Sequence, residues 1–238
     1  MSTDPPAGKK RLRWLYGWRG LAVLVMVFWH LAWDLAARGV FPKHMMFDPP
    51  MAGVRYFIIG SFVLISGISC RFSRSNGRRA MKTLLCALTV SAVMYLIHDP
   101  VWFGTLHLLG CCMALYAAFG ERFEKLPPAK TALVCMVLFT FFLVLTDRVR
   151  VTTPGLWAFG FRTRQFYSAD YYPLLPWLFL FLTGTIIGGK LQPGVLDVGR
   201  SFPGWLCRIG QRALWIYMLH QPVLMGILYL VFFKRPAA

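Results

Sequence analysis

The sequence predicts an all-α integral membrane protein, a single bundle of about seven transmembrane helices. Three observations predict this. Of the 238 residues, 57% are hydrophobic and 16% aromatic, and the mean hydropathy is +0.55, far above that of a soluble domain. The apolar residues come in runs of roughly 17–21, the length a helix needs to cross a bilayer. The Lys and Arg residues fall mainly between those runs, and unequally on alternate connections.

The runs lie at 17–37, 53–70, 80–98, 102–119, 129–146, 171–189 and 213–233. Before the first stands a polar, Pro-containing tail, residues 1–13, ending in a basic cluster. A basic cluster before an apolar run also describes a signal peptide. Here the run is long, Arg19, His30 and Asp34 interrupt it, and no small-residue cleavage site follows, so it reads as an uncleaved span. Residues 14–238 then form one transmembrane domain, with no separate soluble domain expected. The second run contains "SFVLISGIS", whose Ser and Gly suit close helix packing. The third ends at His98 and Asp99, and the fourth carries His107. The fifth follows a Pro pair. The sixth opens with Asp170, Tyr171 and Tyr172, with Pro173 and Pro176 tolerated near a helix start. The seventh carries His220 and Gln221 just before Pro222, which frees a backbone carbonyl one turn back. Residues 147–170 are where a re-entrant segment would add an eighth crossing.

The net charge is +17. Lys9, Lys10, Arg11, Arg13, Arg71, Arg74, Arg78, Arg79, Lys82, Arg122, Lys125, Lys130, Lys190, Arg200, Arg208 and Arg212 fall on one side, sixteen in all. Arg38, Lys43, Arg55, Arg148, Arg150, Arg162, Arg164, Lys234 and Arg235, nine in all, fall on the other. Cytoplasmic loops carry the excess, so the N-terminus is expected in the cytoplasm and the C-terminus outside, in an inner or plasma membrane. This distribution reads as a topology signal with attraction to anionic membrane lipids, and not as a nucleic-acid surface. The outer arginines at 148, 150, 162 and 164 suit an anionic glycan or lipid phosphate equally.

An ionisable group at membrane depth costs a few kcal/mol on insertion scales and marks a functional position. Arg19 and His30 are eleven residues apart, which on a helix returns to within roughly 20° of the same direction after about 16 Å. Asp34 is one turn past His30 on that face. A carboxylate on one imidazole nitrogen holds the tautomer and raises the basicity of the other nitrogen. That nitrogen can act as general base toward an attacking alcohol or amine, or as a nucleophile. His107, Asp170, His220 and Gln221 form a substrate-binding or supporting polar cluster, each alone also explicable as a helix–helix contact. Cys70, Cys86, Cys111, Cys112, Cys135 and Cys207 make no C-x-x-C or Cys/His zinc spacing, so no metal and no structural disulfide are expected.

The blocks "RGLAVLVMVFWHLAWDL", "FVLISGISCRFSR", "FGTLHLLG", "YYPLLPWLFLFLTGTIIGG" and "LWIYMLHQPVL" resemble, in order, those of the heparan-α-glucosaminide N-acetyltransferase catalytic domain in its short bacterial form. The resemblance runs from Arg11 to about Phe233. The Arg-x10-His spacing is also similar to the motif of membrane acyltransferases that O-acylate cell-surface sugars. The resemblance implies transfer of an acetyl group from cytosolic acetyl-CoA to a sugar or glycan acceptor on the far side of the membrane. It implies that His30 is the active-site residue and that Arg19 belongs to the acyl-CoA channel. The chain departs from many relatives at "YGWRG", where they carry an acidic residue before Arg-Gly. The ~16 Å from Arg19 to His30 is comparable to an extended pantetheine arm, so Arg19 could hold phosphates at the cytoplasmic mouth while His30 meets the thioester.

A transporter relaying protons through the same His and Asp groups is the alternative, and a non-enzymatic scaffold a third. Transporters often carry inverted repeats. No second Arg-x10-His stands in the C-terminal half. A scaffold leaves three histidines in three spans without a use.

Overall fold

The computed structural model describes residues 7–191 and 202–233. Its helices are α1 (Ala7–Ala37), α2 (Pro49–Cys70), α3 (Asn76–Leu96), α4 (Thr105–Glu124), α5 (Pro128–Arg148), α6 (Leu174–Lys190), α7 (Gly204–Gln211) and α8 (Ala213–Phe233). Short 3-10 turns lie at Lys43–Phe47 and Leu156–Phe159. Every apolar run of the sequence is a helix. Five of them, α1, α2, α3, α5 and α8, are long and apolar enough to cross a membrane. α6 is apolar but only 17 residues long. α4 has 20 residues, yet ends in "GERFE" and does not reach that apolarity. By length and composition, five candidate spans stand among the described residues, against the seven expected.

The lipid-facing character is physical. The most apolar 18-residue window of α5 has a mean hydropathy of 2.1 but is only 11% buried, and α8 reads 1.6 and 11%. Leu133, Val137 and Phe141 on α5, and Ile227 and Leu230 on α8, stand exposed. In water such faces would drive association. In hydrocarbon they are at home, and the helices satisfy their own backbone polar groups.

Boundaries shift where the local chemistry dictates. α1 continues back to Ala7, so residues 7–13 of the expected tail are helical and residues 1–6 lie outside the described residues. Arg200, Lys234 and Arg235 of the charge assignment also lie outside them. α6 starts at Leu174, after an extended Pro173, so Asp170, Tyr171 and Tyr172 occupy the approach to the helix and not its first turn. Proline fixes φ and has no N–H to give to a preceding turn. Residues 149–173 contain no helix beyond Leu156–Phe159, and an isolated bridge joins Arg150 to Arg162. No helical eighth crossing is present there.

Where one bundle is expected, the helices gather into two compact units: Met1–Phe62 with Pro193–Ala238, and Val63–Gln192. The first is built on α1, which packs against α7 and α8. α7 is not foreseen by the span reading, because eight residues are too short to cross. It closes tightly on α1. A Cβ at Gly20 would run into the backbone oxygen of Leu206, and one at Gly210 into that of Tyr16. Gly20→Leu therefore has nowhere to go but into a backbone carbonyl. It is expected to destabilise the protein by about 1–3 kcal/mol, read as a lowered unfolding temperature in detergent. Gly226→Ala on α8, where a Cβ meets nothing within 4 Å, should not lower that temperature, since alanine is the better helix former.

The second unit pairs α3 with α4 and α5 with α6, and α4 also meets α6. The Ser/Gly-rich end of α2 does what its composition suggests. Gly67 faces the backbone of Phe181, and a Cβ at Gly184 would stand 2.5 Å from the Leu64 carbonyl oxygen. Small residues let these backbones meet.

Candidate active site

α1 is one uninterrupted helix across Arg19, His30 and Asp34, so the eleven-residue and four-residue spacings keep the meaning they have in sequence. Arg19 is half-buried. Asp34 is 5% exposed, unusual for a carboxylate, and needs partners at that depth. They are supplied by α8. Gln221 Nε2 donates to both Asp34 oxygens, at 3.1 and 3.0 Å. Arg38 Nη1 donates to the Asp34 backbone carbonyl at 3.1 Å, marking the end of the helix.

The expected pairing of His30 with Asp34 is corrected here. Among the described residues no hydrogen bond joins them. Each has a different partner on α8. The His30 ring lies edge-on to His220, with centroids 4.8 Å apart and planes at 61°. It also contacts Trp29, its chain neighbour, at 5.2 Å. The reason is geometric. Side chains four apart on one helix share a face, but both here point at the crossing helix, and consecutive residues His220 and Gln221 meet them one each.

His220 Nδ1 stands 2.6 Å from the Tyr217 carbonyl oxygen. A carbonyl only accepts, so Nδ1 carries the hydrogen. Among the described residues three polar atoms in this group are buried without a partner: Trp29 Nε1, His220 Nε2 and Gln221 Oε1. Buried polar atoms in folded proteins are nearly always bonded. Three together, one donor and two acceptors, make this group the candidate site. Trp29 escapes sequence reading because a tryptophan in a span normally signals the membrane interface.

The other expected site residues lie in the second unit. Ser91 Oγ donates to the Val101 carbonyl at 2.5 Å, so its single hydrogen is used, and His107 Nε2–H donates to that oxygen at 3.3 Å. Phe103 stacks on the His107 ring at 5.8 Å. Asp170 Oδ2 accepts from the Thr105 backbone N–H at 2.9 Å, which places a carboxylate at the N-terminus of α4. Further bonds tie the segment before α4 to the segment before α6. Tyr172 N donates to the Phe103 carbonyl at 2.9 Å, and Trp102 N to Ser168 Oγ at 3.1 Å. Tyr167 donates to Asp99 Oδ1 at 2.7 Å, and this bond to a carboxylate raises the phenol above its usual range. His107 and Asp170 thus each hold local structure.

A polar cluster at the other end of this unit has no counterpart in the sequence reading. Arg71 pairs with Glu124, whose carboxylate also accepts from the Tyr116 hydroxyl. Arg71, Glu124, Gly189 and Lys190 line an open cavity of about 180 Å³. In sequence Arg71 and Lys190 are only two of many loop charges, and nothing in their spacing brings them together.

The family model described as "Heparan-alpha-glucosaminide N-acetyltransferase, catalytic" matches residues 11–222. Comparison with curated proteins and with solved structures finds no match.

Proposed function

Because the chain belongs to the heparan-α-glucosaminide N-acetyltransferase catalytic family, a family of membrane acetyltransferases, we propose that it moves an acetyl group from cytosolic acetyl-CoA to a sugar or glycan acceptor on the extracytoplasmic side. The observation that carries this reading is the group of buried Asp34 and half-buried His30 on α1 with half-buried His220 and Gln221 on α8, about 16 Å along α1 from Arg19.

In this mechanism Arg19 holds phosphate oxygens of the donor near the cytoplasmic mouth, where a guanidinium fork matches them. The acyl arm follows the helix face to His30, the residue at which the acetyl group changes hands. Asp34 acts through Gln221: it anchors the amide, and the amide holds α8 against α1 at the height of the two imidazoles. Dry surroundings strengthen every polar contact with the reacting carbonyl. His107 and Asp170 support the scaffold of their own unit.

The test is incubation of purified protein with radiolabelled acetyl-CoA and glycan or lipid extracts, followed by identification of what carries the label. Failure to move label from acetyl-CoA to any extract sinks the reading. A proton-coupled carrier would bind no acetyl-CoA in the same preparation.

The sixteen-to-nine basic asymmetry orients the chain with its N-terminus in the cytoplasm and an odd number of crossings. A C-terminal reporter active only in the cytoplasm is expected to stay dark. A bright signal would mean an even number.

A further inference from the structure

We infer that His220 is a second catalytic residue: its Nε2 takes the proton that the acceptor's hydroxyl or amine loses as it bonds to the acetyl carbon. The inference rests on the acetyltransferase reading above and assigns a role which that reading leaves open.

The first support is the tautomer. A general base must present an unprotonated nitrogen in a held orientation. The Tyr217 carbonyl, 2.6 Å from Nδ1, keeps the ring hydrogen on that nitrogen. The lone pair of the neutral ring is then on Nε2. His30 has no such anchor, since among the described residues its ring makes aromatic contacts and no hydrogen bond.

The second support is the state of Nε2. It is buried and has no partner. Leaving a buried acceptor unsatisfied costs about 1–3 kcal/mol. An imidazole serving only to join two helices would spend Nε2 on the neighbouring helix. This one instead keeps Nε2 unbonded, with its ring 4.8 Å from that of His30.

The third support is the company. Gln221 Oε1, on the next residue, is a second unpartnered acceptor, and Trp29 Nε1, next to His30, an unpartnered donor. An attacking O–H or N–H needs acceptors, and a thioester carbonyl gaining negative charge needs a donor. Both kinds are carried by the residues of the α1–α8 contact: the Trp29 ring lies 5.2 Å from His30, and the His30 ring 4.8 Å from His220. The Asp34 carboxylate, held by Gln221, supplies negative charge on the same stretch of helix when the His220 ring becomes an imidazolium.

The step balances. The acceptor's oxygen or nitrogen forms a bond to the acetyl carbon, the carbon–sulfur bond breaks, and its electron pair leaves on the sulfur of CoA. The acceptor's proton goes to His220 Nε2 and from there to the thiolate. The products are the acetylated acceptor, CoA thiol and the neutral histidine of the start.

The experiment uses the full chain in detergent, labelled acetyl-CoA, and the extract that carries label with wild type. His220→Ala is expected to lose ~10²–10⁴-fold in kcat, the worth of a general base, with KM for acetyl-CoA within about twofold. Free imidazole should restore part of the rate by entering the space left. Unfolding temperature and elution position should match wild type. Independently of activity, ¹⁵N-histidine spectra should contain one ring protonated at Nδ1 and bare at Nε2 that disappears in His220→Gln. A kcat within about threefold of wild type overturns the assignment, as does a loss that imidazole leaves untouched, or a proton found on Nε2. These outcomes leave the acetyltransferase reading standing when wild type transfers label. A wild type that transfers none overturns both.

Discussion

His30→Ala is expected to abolish acetyl transfer while the protein still folds, inserts and binds acetyl-CoA. The loss should be at least ~10²–10⁴-fold, the scale on which a side chain acting at the reacting atoms counts. Binding should persist because the imidazole contributes to the donor complex mainly once bonds are changing. That is the pattern of an interaction used in the transition state and little before it. The variant should fold because His30 makes ring contacts with Trp29 and His220 and carries no hydrogen bond that its loss would orphan. The Asp34–Gln221 bonds that join the helices stay in place. Calorimetry with a non-hydrolysable acetyl-CoA analogue measures the binding, and label transfer the turnover. Near-normal transfer by the purified variant would remove His30 from the mechanism.

Arg19→Ala should fail in the opposite way. A charge-assisted contact to phosphate is worth about 1.5–3 kcal/mol, or ~10–150-fold in affinity. Donor binding should weaken by that factor, and saturating acetyl-CoA should recover much of the turnover. Arg19→Lys should recover only part of the binding, because an ammonium lacks the planar fork. The same calorimetry decides it. Should His30→Ala lose binding and Arg19→Ala keep it, the order of the two residues along the donor path would be reversed.

The apolar solvent, the helices and the polar stripe along α1 are legible in the residues alone. Each apolar run became a helix, because the period and length of a span are local properties of the chain. The Arg19, His30 and Asp34 stripe held because α1 is unbroken and eleven residues are three turns on any α-helix. His220 and Gln221 were visible as polar residues in an apolar run, and the family was visible in the order of the blocks.

Which side chain pairs with which follows from packing. Asp34 is within reach of His30 along the helix, yet Gln221 of α8 takes both carboxylate oxygens, and His30 meets His220 instead. Periodicity assigns a residue to a face but is silent on what crosses that face; α7, eight residues long, leads into α8 and packs on α1 through Gly20 and Gly210. Asp170 reads in sequence as the opening of the sixth span and sits before α6, bonded to the first backbone N–H of α4, because the helix starts only after Pro173. A backbone N–H sixty-five residues away in sequence has no signature in the chain, since hydrogen bonds between distant segments arise only after the segments have packed.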